Sequence, residues 1–128
     1  MDNYFLNLLE TFPKEHLLEK ESYYNGFKYV VMNLGNYLCG YVAIPEGHPL
    51  AGVNYNDIDD IHCHGGLTYS EDFLTDYSND EGYWWIGFDC NHGGDTMNKC
   101  NVQYVSNECK NIINQINNKY SFEDYLNG

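Results

Sequence analysis

Val102, Val105, Cys109, Ile112, Ile113 and Ile116 recur at i, i+3, i+7, i+10, i+11 and i+14. That spacing is the single apolar stripe of an amphipathic helix of roughly five turns, over about Lys99–Lys119. A stripe needs an apolar surface to lie on. Three segments rich in β-branched and aromatic residues can supply it: Phe27–Leu34 (FKYVVMNL), Tyr37–Ile44 (YLCGYVAI) and Tyr83–Cys90 (YWWIGFDC). Gly35-Asn36 is a turn signal between the first two and predicts an antiparallel hairpin. Pro45-Glu46-Gly47-His48-Pro49 ends it, because two prolines cannot continue a ladder.

The remaining segments read more weakly. Tyr4, Phe5, Leu8, Leu9 and Phe12 have helical spacing, and Pro13 suits the first turn of a second short helix, Pro13–Glu21, with Leu17 and Leu18 inward. Ile61–His64 and Leu67–Tyr69 are short strand candidates flanking Gly65-Gly66, and residues 70–82 read as a polar acidic loop. The expected architecture is one α+β domain over 1–128. An antiparallel sheet of four to five strands is packed by helices, the long C-terminal helix being its main partner.

Charge narrows the function. The chain has six lysines, no arginine and a formal charge of -13. Phosphate polymers and anionic lipid surfaces are held by Lys and Arg, so direct nucleic-acid or membrane binding is not expected. The opening MDNYFLNLLE has neither a basic leader nor a long apolar run, so no signal peptide is expected and a cytosolic location is. Between Lys28 and Lys99 there is no Lys or Arg. The same stretch holds Glu46, Asp57, Asp59, Asp60, Glu71, Asp72, Asp76, Asp80, Glu81, Asp89 and Asp95. These carboxylates are solvated loop charges, a negative face for a basic partner, or in part metal ligands.

Five cysteines without a CxxC pair fit a reducing compartment better than a disulfide framework. Cys39 and Cys109 fall in strand and helix patterns and read as core residues. His62-Cys63-His64 precedes Gly65-Gly66, and Asp89-Cys90-Asn91-His92 precedes Gly93-Gly94-Asp95. In extended chain, residues i and i+2 share a face. His62 with His64, and Cys90 with His92, would then converge as nitrogen and sulfur ligands of the kind zinc prefers, with Cys39 or His48 able to replace one member. The metal set expected is His64, Cys90 and His92. Alternatively the histidines are hydrogen-bonded surface residues, and the paired glycines form amide-lined turns that grip an oxygen. Cys90 with His92 or His64 and Asp95 also supplies the residue types of a nucleophilic triad, but a negative field raises a thiol pKa. Of Trp84 and Trp85, one is expected in the core, and the other is a candidate stacking platform near the histidines.

The segments GYVAIPEGHPLAG, HGGLTYSED and WWIGFDCNHGGD, in that order and followed by a helix, resemble a family of small uncharacterised proteins of phages and prophages. The resemblance covers Gly40 to Asp95. It rests on His48 in the P-x-G-H-P turn, on His64, Gly65, Gly66, Leu67, Thr68 and Tyr69, and on Gly87, Phe88, Asp89, Cys90, His92, Gly94 and Asp95. His62 and Cys63 fall outside it. It implies a non-structural accessory role, such as host takeover or anti-defence, rather than a reaction. The first expectation is a protein that binds a basic, nucleic-acid-handling host defence protein such as a CRISPR nuclease. Its contact would be Asp57, Asp59, Asp60, Glu71, Asp72, Asp76, Asp80 and Glu81, over a polar cluster of His48, His64, Gly65, Gly66, Trp84, Trp85, Asp89 and Asp95. One alternative is a metal-dependent hydrolase using His48, His64, Asp89, Cys90, His92 and Asp95. Another is a sponge for a small nucleotide stacked on Trp84 or Trp85.

Overall fold

A computed structural model describes residues 16–120. Strands β1 (Leu17–Tyr24), β2 (Phe27–Asn33), β3 (Leu38–Ile44), β4 (Tyr69–Glu71) and β5 (Trp84–Asp89) are followed by helix α1 (Val102–Lys119). The strands form one antiparallel sheet in the order β1-β2-β3-β5-β4. The α+β class, the hairpin, the β5 strand and the C-terminal helix therefore stand as the sequence predicts.

The apolar stripe of α1 lies on one sheet face. Val105, Cys109, Ile112, Ile113 and Ile116 meet Tyr29, Val31, Val42, Ile44, Ile86 and Phe88, with Leu50, Ile58 and Ile61 closing the side. At Gly40 of β3 a Cβ would stand 2.7 Å from Cys109 Sγ and from the Phe88 ring. The helix thus approaches the sheet as closely as a missing side chain permits. Asn101 caps α1 by accepting from Tyr104 N at 2.9 Å, which starts the helix at Val102 rather than Lys99. The opposite sheet face is covered too. Val30, Met32, Cys39, Tyr41, Ala43 and Trp85 pack under Leu74, Tyr77 and Tyr83 from the 72–83 segment. Two buried faces explain why β2 and β3 read as nearly continuous apolar runs.

Two local expectations are corrected. The helix proposed over Pro13–Glu21 is replaced, in its described part, by β1. Its residues alternate, with Lys20, Ser22 and Tyr24 half-buried and Glu21 and Tyr23 exposed, and they pair with β2 from Leu17 opposite Asn33 to Tyr24 opposite Phe27. The unpaired backbone edge of β2 outweighs the modest helix propensity of LLEKES. The helix proposed at 3–12, the start of the second at Pro13, and the closing FEDYLNG tail lie outside the described residues. Ile61–His64 forms no strand, and the strand near Leu67–Tyr69 is displaced to Tyr69–Glu71.

Lys28 anchors the 72–83 segment. Its ammonium is nearly buried, 3.0 Å from Glu21 and 3.8 Å from Glu81, and stands 5.6–5.8 Å from the ring centres of Tyr23, Tyr77 and Tyr83. Hydrogen bonds from the Tyr77 hydroxyl and from Lys28 hold Glu21 below its ordinary range. Burial pulls Lys28 down, but its hydrogen bonds with Glu21 and Tyr77 outweigh that and leave it raised. The depressed carboxyl contributes stability that is complete above its unfolded pKa of about 4.3 and is lost as pH falls through the folded value. The raised ammonium contributes below about pH 10.4 and ceases to as pH rises through its folded value. Lys28→Met should therefore lose about 2 kcal/mol at neutral pH and shrink the acid-side decline in stability, as urea unfolding at pH 7 and pH 3 would show.

Candidate metal centre

Beside its apolar stripe, α1 carries a polar one: Tyr104, Glu108, Asn111 and Gln115, at i, i+4, i+7 and i+11. This stripe holds the loop at 61–66. Gln115 accepts from His62 N at 2.8 Å and donates to His62 O at 2.7 Å, and Asn111 donates to the same carbonyl at 3.1 Å. Glu108 accepts from His64 N at 2.8 Å, and the Tyr104 hydroxyl pairs with His64 Nδ1 at 2.8 Å. The segment's backbone groups are satisfied by helix side chains rather than by a ladder, which is why it is not a strand. His62 and His64 consequently do not share a face. His62 is exposed, and His64 alone turns inward.

The inward nitrogen meets two thiols. The ligand atoms of His64, Cys90 and Cys100 all lie within 4.8 Å of one another. Cys90 directly follows β5, its N–H donating to Leu38 O at 3.0 Å, and Cys100 immediately precedes the α1 cap. Cys100 Sγ is 3.9 Å from His64 Nε2. A tetrahedral zinc, with bonds of about 2.3 Å to sulfur and 2.0–2.1 Å to nitrogen, needs N···S near ~3.5 Å and S···S near ~3.8 Å. The set needs to contract by only tenths of an ångström to about one ångström. Burial first, and then the neighbouring Cys100, push the Cys90 thiol up. Such a thiol is inert as a nucleophile and becomes a thiolate when a cation binds it. The carboxylate field contributes to the rise, but burial is its main cause.

Asp95 completes the surroundings. Its carboxylate oxygens are 2.9 and 3.0 Å from His64 Nε2, and the His92 N–H reaches it at 3.1 Å. The His64 contact, reinforced by that N–H and the nearby imidazoles, holds Asp95 below its ordinary range. The second glycine turn, closed by Asp95 N to His92 O at 2.9 Å, thus grips a carboxylate of its own. His92 stands at the rim. Its ring lies 5.8 Å from that of His64 and 3.3 Å from Asp89, which also accepts from Thr68 Oγ1 and Asn91 N at 3.0 Å each. Cys100 therefore takes the third place expected of His92.

Other expected members lie elsewhere. His48 is a core residue: Nδ1 accepts from Leu50 N at 3.0 Å, and the ring packs edge-on against Phe27 and Tyr120. Tyr120 caps the far end of the 18-residue α1, some 27 Å from the end that Cys100 precedes, so His48 cannot join the cluster. Trp85 is fully buried on the other sheet face, against Tyr77 and Tyr83. Trp84 is half-buried with its indole N–H on Val53 O at 3.1 Å. Neither is a stacking platform at the histidines. All eight predicted contact carboxylates are exposed. They do not share one flat face. Ile58 anchors the 57–60 group on the helix side, Leu74 anchors the 72–81 group on the opposite side, and the two flank the β4 edge, where Tyr55 N meets Ser70 Oγ at 3.0 Å. The fold also returns counter-ions that the sequence order hides: Lys28 to Glu81, and Lys119 to Asp60 at 3.6 Å.

Among the described residues, two hollows adjoin this end of the sheet. One of about 220 Å³ on the face away from α1 is lined by residues including Tyr37, Cys39, Tyr41, Tyr69 and Asp89. The other, about 20 Å³, is bordered by Cys90, Asp95, Thr96 and Cys100 and has room for a single water-sized group. Among the described residues no helix is long and apolar enough to cross a membrane. Compared with protein-family models, curated proteins and solved structures, the chain finds no match.

The Gly65-Gly66 turn sets how the loop meets His92. Gly65 has φ +68, and a Cβ there would stand 2.3 Å from His92 Nε2; Gly66 has φ +81 and open space around it. Alanine at Gly66 should cost about 1–2 kcal/mol for the left-handed backbone alone. Alanine at Gly65 should carry the same backbone cost and in addition break the His92–Asp89 contact, because the exposed His92 ring has to swing away. Urea unfolding of the two variants side by side measures the difference.

Proposed function

We propose that this chain is a zinc-stapled protein that acts by binding. In this reading a zinc ion on His64, Cys90 and Cys100 fixes one end of the fold, and the exposed carboxylates around the β4 edge engage a basic protein. The observation that carries the metal half is the convergence of one imidazole and two buried thiols from three separate segments. Two sulfurs and a nitrogen favour zinc over the hard cations, which take oxygen ligands. The binding half is supported by the exposure of Asp57, Asp59, Asp60, Glu71, Asp72, Asp76, Asp80 and Glu81 in a molecule of charge -13. Such a surface complements the nucleic-acid channel of a basic host protein, the phage anti-defence role that the motif resemblance implies, with a CRISPR nuclease as one such target.

A hydrolase built on the same metal is the second reading. It draws on His92, exposed at the rim with Asp89 behind it, as a base positioned next to the centre. The hollow of about 20 Å³ against Cys90 and Cys100 favours the binding reading, since on that side it admits only a water-sized group.

Elemental analysis should find one zinc per chain. With free zinc at a thousand times its dissociation constant, binding adds about 4 kcal/mol of stability, so a chelator should lower the melting temperature clearly. Cys90→Ser and Cys100→Ser should lose both the metal and the chelator response, while His62→Ala should keep both. For the partner, titration against purified basic defence nucleases should give affinity that falls steeply with salt. Neutralising Asp57, Asp59 and Asp60 or Asp72, Asp80 and Glu81 to the amides should weaken it. Absence of metal, or binding indifferent to salt and to these amides, contradicts the respective half.

A further inference from the structure

We infer that Asp95 is the fourth ligand of the zinc centre and that Tyr104 sets the His64 ring for it, making the site closed and structural rather than open and catalytic. This rests on the reading of His64, Cys90 and Cys100 as zinc ligands and decides between its two versions.

The ring of His64 has one nitrogen already committed. Nδ1 is engaged with the Tyr104 hydroxyl at 2.8 Å, so only Nε2 can meet a cation, and Nε2 is the nitrogen that faces Cys100. With no cation, Nε2–H donates to Asp95 and the Tyr104 O–H donates to Nδ1. A cation on Nε2 takes its lone pair, so the ring proton resides on Nδ1 and donates to the Tyr104 oxygen. The tyrosine hydroxyl serves both states, because it is donor and acceptor at once. This is the usual second hydrogen bond of a metal-bound histidine, which fixes tautomer and ring angle.

Asp95 then loses its donor. Its two oxygens lie 2.9 and 3.0 Å from a nitrogen whose lone pair now points among them and the thiols. That contact is repulsive unless the cation sits between. Ligation of Nε2 therefore brings in the carboxylate. A tetrahedral zinc asks for N···O near ~3.3 Å, so the carboxylate withdraws from Nε2 by only tenths of an ångström, while it also has to close on the thiols, because the compact set of ligand atoms comprises His64, Cys90 and Cys100 without it. Oδ2 is held by the His92 N–H at 3.1 Å, whereas Oδ1 has only the His64 contact among the described residues. Oδ1 is the ligand atom. The resulting set of two sulfurs, one nitrogen and one oxygen leaves no vacant position on a tetrahedral ion, and the hollow beside Cys90, Asp95 and Cys100 has room for only a water-sized group.

Cobalt(II), whose visible bands report coordination, tests this in the full chain with azide as the exogenous ligand. Wild type should show tetrahedral bands with thiolate charge transfer and no response to azide. Asp95→Ala should bind cobalt with an open position, so its bands shift on adding azide. Asp95→His restores a fourth ligand and covers failure of the alanine variant to fold: its bands should be displaced from wild type and insensitive to azide. Tyr104→Phe should keep the wild-type bands and bind about 10–100-fold more weakly. Wild-type bands that respond to azide, or bands unmoved by both Asp95 substitutions, overturn the inference and leave the three-ligand reading intact. Absence of thiolate bands in wild type overturns that reading itself.

Discussion

Helix α1 is held by two stripes at once, and the rest of the molecule follows from that. Its apolar residues rest on the sheet at the point where Gly40 lets Cys109 approach. Its polar residues from Tyr104 to Gln115 grip a loop that otherwise has no secondary structure. The first stripe fixes the helix on β3. The second fixes His64 relative to the helix. The Asn101 cap then fixes Cys100 relative to both, since it decides where the helix begins. Cys90 arrives from the sheet itself. A cluster drawn from a loop, the end of the sheet and the approach to the helix is thus located by one helix docked in one register.

The charge balance is the second organising constraint. The chain has no arginine and six lysines, and two of the described lysines are committed to ion pairs. Lys28 is enclosed by Tyr23, Tyr77 and Tyr83 and shared between Glu21 and Glu81, and Lys119 reaches Asp60. The carboxylates of Asp57, Asp59, Asp60, Glu71, Asp72, Asp76, Asp80 and Glu81 are exposed to water, where repulsion is screened beyond about 8–10 Å. Asp95 is different, being turned onto a histidine beside two buried thiols. In an acidic chain short of lysine, a bound divalent cation is a compact way to hold such a group in place.

Much of the fold was legible and less of the site was. The stripe from Val102 to Ile116, the Gly35-Asn36 turn and the YWWIGFDC run each carry a strong local signal, and each element formed there. β1 was not legible, because LLEKES has no strong preference and its conformation is set by the open edge of β2. His64, Cys90 and Asp95 were marked by the HGG and DCNHGGD motifs. His92 shares a face with Cys90 only in extended chain, and past Cys90 the backbone turns through Gly93-Gly94 and carries its ring to the rim. Cys100 was missed because nothing in NKCN announces a ligand. The usable signal was indirect: it sits just before a capping asparagine, so it lies at the helix end that faces the loop. Tyr104, Glu108, Asn111 and Gln115 share a face by their i, i+4, i+7, i+11 spacing, but polar residues at that spacing do not say which loop they hold.

The central claim is that two thiols and one imidazole brought together by α1 hold zinc. X-ray absorption at the zinc edge of the purified protein measures it directly. The account predicts a four-coordinate shell with two sulfurs at about 2.3 Å and two lighter ligands at about 2.0–2.2 Å. A shell without sulfur, or protein that retains no zinc after exposure to it, would contradict the claim.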